Sequence, residues 1–163
     1  MAVSDNSGLG PSAGSGPGGS DDKSRLAARL SADYMLRSLK MISELANGEL
    51  LTGLVNLAMA QANVAHLDRV SSGFDAIGKA PPDELRRPVS VLALSSSLGL
   101  PYETTRRHVA KMIATGQCVR AKGGVVVPTA VVQDARRNAM LEVNLVNLKR
   151  LVRALRSAGV DLD

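Results

Sequence analysis

The sequence predicts a mainly α fold in which two short helices and a small β-hairpin lie between long helices at both ends of the chain. Ser90 and Gly99 are residue types favoured immediately before and after a helix, which places the first short helix at Val91–Leu98. A second helix is predicted to start at Pro101–Tyr102 and to run to about Ala114, since a proline suits a helix start, where the backbone N–H has no helical partner. Gly116 would close that helix.

A β-hairpin is predicted directly after the second helix. Residues 118–121 and 125–127 read as short strands, and the Lys-Gly-Gly sequence at residues 122–124 favours a tight turn between them. Helix, turn, helix and hairpin in this order are typical of a winged helix-turn-helix, here residues 89–128. Helical spacing predicts that seven side chains point inward: Leu94, Leu98, Leu100, Thr105, Val109, Met112 and Ile113.

Residues 98–127 resemble the recognition helix and wing of bacterial winged-helix transcription regulators, most closely the GntR and MarR types. The shared pattern is a Leu-Gly-Leu turn, a helix similar to Thr-x-Arg-Arg, a glycine at the helix end and a basic wing. Thr105 departs from the pattern, because those proteins usually bury valine or leucine there. The resemblance implies a winged-helix topology and a DNA-binding role for Thr104, Arg106 and the wing.

Positive charge is concentrated on this predicted unit. The chain has 20 basic and 15 acidic side chains, and residues 86–122 hold seven of the basic groups against Glu103 alone. Such a surface is the electrostatic footprint expected of a phosphate-binding protein, although a merely solvated surface has the same composition. Three aromatic side chains are too few for the stacking platforms that grip single strands, so a duplex is the expected nucleic acid.

The candidate DNA contacts follow from how a helix reads the major groove, which is from its first turns. We expect the recognition helix, about residues 101–114, in the major groove, and the wing, about residues 118–127, on the adjacent backbone or minor groove. Arginine pairs with guanine, glutamate accepts from cytosine, and threonine or tyrosine contacts a phosphate or a thymine methyl. The predicted DNA-binding residues are Tyr102, Glu103, Thr104, Arg106, Arg107, Lys111, Arg120 and Lys122.

The N-terminal part divides into a tail and a helical hairpin. Residues 1–20 are rich in Gly, Ser and Pro and predict a disordered tail. Residues 21–69 form the predicted hairpin, for packing or dimerisation, with helices over residues 20–46 and 49–69 and a stop signal at Asn47-Gly48. The second of these helices is apolar on most sides and would need burial all round.

Three polar side chains, Asn56, Asn63 and His66, lie close to one face of that second helix. They predict a satisfied buried polar network or an interface contact, and the alternative is a polar patch in an effector pocket. Polar residues also interrupt the apolar run Leu50–Leu67, which argues against a bilayer span.

A connecting loop is predicted over residues 70–88. Residues 82–85 favour a single helical turn, and a short strand at about Val89 could pair with the wing. Arg86 and Arg87 at the end of this loop are either solvated or in contact with phosphate.

The C-terminal part, residues 129–163, predicts a short turn or helix followed by a long helix over Ala135–Ser157. Its apolar residues have heptad spacing: Leu141, Leu145, Leu148, Val152 and Leu155. This seam packs either on the first two helices of its own chain or in a dimer interface built from the first and last helices. The second arrangement is the one that the resemblance to MarR-type proteins implies.

Patterns that signal catalysis or metal binding do not occur in the sequence. It has no HExxH, Walker A, CxxC or Gly-x-Ser-x-Gly pattern, and its two histidines fall in different predicted helices. The single cysteine, Cys118, is expected to be a small buried hydrophobe. We therefore expect no enzyme, no cofactor and no metal. Because no apolar signal core opens the chain, we also expect a cytoplasmic protein.

Together these patterns predict a sequence-specific transcription regulator that binds double-stranded DNA as a homodimer and does not contact a membrane. The sequence identifies no small-molecule effector, although one could bind between the dimer helices and the winged helix. Two alternatives stay open. One is a winged-helix protein-interaction adaptor without DNA binding, which would not need so many outward basic groups. The other is a small-molecule sensor that acts through the apolar second helix.

Overall fold

The computed structural model describes residues 18–67 and 77–160, with side chains from residue 22 onward. The protein is mainly helical with one two-stranded antiparallel sheet, which confirms the predicted mainly α class. Short 3-10 turns lie at Ala65–Leu67 and Asp83–Leu85. The other elements, in chain order, are α1 (Gly18–Leu45), α2 (Leu50–Val64), α3 (Val91–Leu98), α4 (Tyr102–Ala114), β1 (Val119–Ala121), β2 (Gly124–Val126), α5 (Thr129–Val132) and α6 (Ala135–Ser157).

Helix α2 is the centre of the fold, because it packs against α1, α3, α4 and β2. Its buried residues are Thr52, Gly53, Val55, Asn56, Met59 and Asn63. Leu51 and Leu57 are 39% and 36% exposed, so the expectation that α2 is buried all round is only partly met. In the described part of the chain, the stretch Leu50–Leu67 alone has the length and apolar character of a membrane-spanning helix, and it is this central helix with its 3-10 extension.

The hydrophobic core lies where α2, α3, α4 and the hairpin meet. Its buried side chains are Val55, Met59, Leu94, Val109, Met112, Cys118, Val125 and Val127. Burial of a larger aliphatic side chain stabilises a fold by roughly 1.5–3 kcal/mol, so this cluster is the main apolar contribution to stability. It confirms the inward orientation predicted for Leu94, Val109 and Met112.

The first two helices meet at a tight turn and a close backbone contact. The chain leaves α1 through Asn47, whose φ is +54°, so the predicted stop signal is confirmed. Gly53 allows α2 to approach α1, because a Cβ atom there would lie 2.6 Å from the carbonyl oxygen of Ile42. Helix α1 begins at Gly18, two residues before the predicted start at residue 20, and ends at Leu45, one residue before the predicted end. Residues 1–17 lie outside the described part.

The second helix is shorter than predicted, since α2 ends at Val64 and continues only as a 3-10 turn to Leu67. The last two residues of the predicted helix, 68 and 69, lie outside the described part. The predicted single helical turn within residues 82–85 is present as the 3-10 turn Asp83–Leu85.

Helices α1 and α6 pack along each other beside the core. Tyr34 Oη donates to Asn144 Oδ1 at 3.0 Å, and Arg136 Nη2 donates to the carbonyl oxygen of Glu44 at 3.3 Å. None of the described side chains of α1 or α6 is fully buried. The C-terminal helix therefore does pack on its own chain, but this packing leaves much of its apolar surface open.

Candidate nucleic-acid interface

The turn between α3 and α4 is fixed by the residues that predicted it. Ser90 Oγ accepts from the backbone N–H of Ala93 at 3.1 Å and so caps α3, and Gly99 after it has a left-handed φ of +63°. The bounds of α3 agree with the prediction, and so do those of α4, which begins at Tyr102 after the cap residue Pro101 and ends at Ala114. The ends of α3 are thereby fixed by local chemistry.

One face of α4 packs into the hydrophobic core. Thr105, Val109 and Met112 are buried, as the helical spacing predicted. Thr105 Oγ1 donates to the carbonyl oxygen of Pro101 at 3.2 Å, so the hydroxyl that replaces an aliphatic side chain here is satisfied within its own helix.

The other face of α4 carries the side chains predicted to contact DNA. The exposed ones are Tyr102, Glu103, Arg106, Arg107 and Lys111, and Thr104 is half-buried. Because none of the exposed five belongs to the core, this face is available to a partner along about three turns of helix.

Glu103 and Arg106 form a two-bond ion pair on this open face. Arg106 Nε donates to Oε2 of Glu103 at 2.8 Å, and Nη2 donates to Oε1 at 2.6 Å. The hydrogen bonds from Arg106 hold the pKa of the Glu103 carboxyl below its usual value. Arg107 has no carboxylate within ion-pair distance in the described part of the chain.

Lys111 is tied to the start of α2. Its Nζ donates to Oε1 of Glu49, and Thr52 Oγ1 donates to Oε2 of the same carboxylate at 2.9 Å. These two hydrogen bonds lower the pKa of Glu49. His108 Nδ1 lies 2.8 Å from Thr52 Oγ1 and extends the polar contact between α4 and α2. Sequence reasoning missed Glu49 and Thr52, because no local pattern links residues more than fifty positions apart.

The hairpin that follows α4 presents the other predicted contacts. Ala121 pairs with Gly124, so the turn consists of Lys122 and Gly123 alone. The predicted three-residue turn is too long by one residue, since Gly124 already belongs to the ladder. Arg120 and Lys122 are exposed near the tip. The hairpin thus adds two exposed cations to the chain order helix, turn, helix, hairpin.

The hairpin is anchored to the rest of the protein on its β2 side. The strand predicted near Val89 is present as a bridge in which Val89 and Val125 exchange backbone hydrogen bonds of 3.1 and 3.0 Å. Asn63 of α2 is completely buried; its Nδ2 donates to the carbonyl oxygens of Arg87 (2.7 Å) and Val125 (3.1 Å), and its Oδ1 accepts from Val127 N–H at 3.0 Å. The prediction of a satisfied buried polar group is confirmed for Asn63.

Asn56 and His66, predicted to belong to the same polar face, are not fully paired in the described part of the chain. Asn56 Oδ1 accepts from Nη2 of Arg137 at 2.5 Å, but its Nδ2 has no partner. His66 is half-buried and its Nδ1 has no partner. The three residues therefore do not form one connected network.

Two arginines meet at a cleft of about 190 Å³ between α2, α6 and the segment before α3. Arg86 is buried, so both sequence-based interpretations of it, solvation and phosphate contact, are wrong; its Nε donates to Thr129 Oγ1 at 3.1 Å. Arg137 lines the same cleft, and burial lowers the pKa of both guanidinium groups. Apolar side chains from α2, α5 and α6 form the remaining wall, so the cleft combines cationic and apolar surface. Arg87 is exposed.

Cys118 is confirmed as a buried core residue, with 1% of its surface exposed. Burial raises the pKa of its thiol to about 11, which keeps the thiol protonated at neutral pH. In the ranges 18–67 and 77–160 no group of three His, Cys, Asp or Glu side chains is placed to hold a metal ion.

Comparisons with models of known protein families, with curated proteins and with solved structures find no match for this chain.

Proposed function

We propose that residues 89–128 form a winged helix-turn-helix that binds double-stranded DNA, with α4 in the major groove and the hairpin on the adjacent backbone or minor groove. One observation carries this proposal. Helix α4 buries Thr105, Val109 and Met112 against the core, and the same helix exposes Arg106 and Arg107 on its open face. A rigidly held helix with a basic outer face is what major-groove recognition requires.

The distribution of uncompensated charge supports the same partner. Arg107, Arg120 and Lys122 are exposed and have no carboxylate partner within the described residues. Exposed cations without a carboxylate partner are suited to phosphate groups, because each contact releases a condensed counterion from the duplex. Lys111, held by Glu49, contributes less to this surface than the sequence predicted.

Anisotropy of labelled duplexes at increasing salt tests the proposal, with the region upstream of the protein's own gene and mixed genomic fragments as probes. We expect binding that weakens steeply with salt. Arg106→Ala/Arg107→Ala should bind at least about 100-fold more weakly, since two arginines that contact bases or phosphates are lost. The control, Arg25→Ala/Arg29→Ala, removes the same charge from exposed positions on α1 and should change affinity by less than about threefold.

If neither probe binds at low salt, DNA is not the partner. The basic face of α4 would then be the docking surface of an adaptor for an acidic protein, which is the alternative function that the same side chains could serve.

We also propose that the protein is a homodimer joined through α1 and α6. Leu36 and Val146 are 68% and 66% exposed on these two neighbouring helices, and a concentration of exposed apolar side chains is typical of an interaction surface. Further apolar residues with at least a third of their surface exposed on α1 and α6 are Met35, Leu39, Leu141, Val143, Leu145 and Leu148. A twofold axis there would present two copies of α4 to successive major grooves, roughly 34 Å apart.

Light scattering after gel filtration measures this directly, and we expect a mass of twice 17.0 kDa. Leu36→Glu/Val146→Glu should halve the mass, because four carboxylates would enter the interface. Leu92→Glu on α3, where the leucine is 63% exposed, is the control and should leave the mass unchanged. A wild-type mass of 17.0 kDa would contradict the dimer.

Small-molecule sensing is a second candidate function, and the cleft lined by Arg86 and Arg137 favours it. Two guanidinium groups beside an apolar wall suit an organic anion, since a carboxylate matches the planar arginine fork. We expect small organic acids to raise the melting temperature of the wild type and to have no effect on Arg137→Gln. A melting shift in a protein without DNA affinity would favour the sensor over the regulator.

A further inference from the structure

The ion pair between Glu103 and Arg106 has a specific geometry. The carboxylate of Glu103 binds Nε and Nη2, which lie along one side edge of the guanidinium plane. A guanidinium has five N–H donors, and this arrangement uses two of them. The three that remain are on Nη1 and Nη2, at the end of the side chain. The ion pair therefore fixes the plane of the Arg106 guanidinium. The N–H groups at its terminal edge have no hydrogen-bond acceptor among the described residues.

That terminal edge matches one base. Two N–H groups in a rigid planar fork pair with O6 and N7 of guanine in the major groove, and no other base presents two acceptors there. The side chain of Arg106 is 53% exposed, so the terminal N–H groups of its guanidinium are accessible from solvent. Because Glu103 already restrains the guanidinium, less rotamer entropy is lost when a base binds.

The charge of the pair distinguishes Arg106 from its neighbour. Glu103 and Arg106 together are neutral, so they add little to the attraction between the protein and phosphate groups. Arg107 has no carboxylate partner among the described residues and keeps its full positive charge. One arginine is thus arranged for directional hydrogen bonding and the other for electrostatic attraction.

We infer that Arg106 determines sequence specificity by binding a single guanine through Nη1 and Nη2, that Glu103 is the positioning residue that fixes its guanidinium plane, and that Arg107 contacts phosphate. This inference rests on the proposed DNA-binding function. It assigns to Glu103 a part in recognition that does not require the carboxylate to touch a base.

Selection from a random duplex pool, followed by anisotropy, tests the inference. The wild type should select one G·C pair per half-site, and replacing that guanine by 7-deazaguanine, which lacks the N7 acceptor, should weaken binding about 10-fold. Glu103→Ala/Arg106→Ala keeps the net charge, so it should keep the salt dependence of the wild type but bind both duplexes equally. Circular dichroism should show an unchanged fold, because both side chains are exposed.

Two single variants separate positioning from charge. Glu103→Gln retains Arg106 but removes one negative charge, so non-specific affinity should rise and discrimination against 7-deazaguanine should fall. Arg107→Ala should weaken binding to both duplexes alike and reduce the salt slope by about 0.9. Discrimination that survives in Glu103→Ala/Arg106→Ala would overturn the inference while leaving DNA binding in place. Absence of duplex binding by the wild type would overturn the proposed function and the inference with it.

Discussion

Replacing Gly124 by alanine is expected to destabilise the protein by about 4 kcal/mol, through backbone strain and steric overlap together. Gly124 has a φ of +154°, a conformation that residues with a Cβ atom rarely adopt. A Cβ atom would also lie against the carbonyl group of Val89 and 2.9 Å from the backbone nitrogen of Ser90. These are backbone atoms, so a side-chain rotation cannot relieve the contact. The bridge between Val89 and Val125 would have to break.

Gly123→Ala is the matched control for this substitution. Gly123 is the preceding residue and has a φ of +97°, but nothing lies within 4 Å of the position that its Cβ would take. Gly123→Ala should therefore lower the free energy of unfolding only by the strain of the backbone conformation, about 1 kcal/mol. Urea unfolding followed by circular dichroism measures both differences. Equal losses in the two variants would show that the approach of Val89 to the hairpin does not depend on Gly124.

Replacing Asn63 by alanine should cost about 3 kcal/mol, because three backbone groups each lose a hydrogen bond at a net penalty of about 1–3 kcal/mol, although one of them, the carbonyl oxygen of Val125, keeps the N–H of Val89 as its other partner. The groups are the carbonyl oxygens of Arg87 and Val125 and the N–H of Val127. They belong to two separate segments, which the one amide holds against α2. Loss of the amide should therefore loosen the hairpin and the segment before α3 together.

Gln61→Ala, on the exposed surface of the same helix, is the control and should change stability by less than about 0.5 kcal/mol. Hydrogen exchange adds a local measurement. In Asn63→Ala the amides of Val125 and Val127 should exchange faster relative to those of α4. A loss in Asn63→Ala no larger than in Gln61→Ala would mean that the three hydrogen bonds contribute little net free energy.

The sequence predicted well those features that depend on neighbouring residues. Ser90 and Gly99 determined the bounds of α3, and the apolar spacing of α4 identified the buried face that includes Thr105. The first turn of the C-terminal helix was also placed correctly, where Asp134 Oδ1 accepts from Arg136 N–H at 3.3 Å. Helix caps and helical periodicity depend on residues only a few positions apart, so a single sequence is enough to predict them.

Features that depend on distant residues were not predictable in the same way. Nothing near Lys111 indicates that Glu49 will bind it, and nothing near Arg86 indicates that Thr129 and Arg137 will surround it. A surface arginine and a buried one have the same local sequence signal, because burial is decided by how helices pack. For this reason the sequence did not indicate that Arg86 is buried or that Lys111 forms an ion pair with Glu49.

The bridge at Val89 also determines how the small sheet meets solvent. It occupies part of the outer side of β2, so in the described part of the chain β1 is the strand whose outer backbone groups lack a neighbouring strand. Unprotected strand edges recruit other chains and cause aggregation, and proteins limit this with short edges and charge. Strand β1 has three residues, with Arg120 in the middle. The charge of Arg120 is therefore expected to oppose edge-to-edge association of the sheet, and Arg120→Val should make the protein more prone to aggregate, as light scattering during storage would measure.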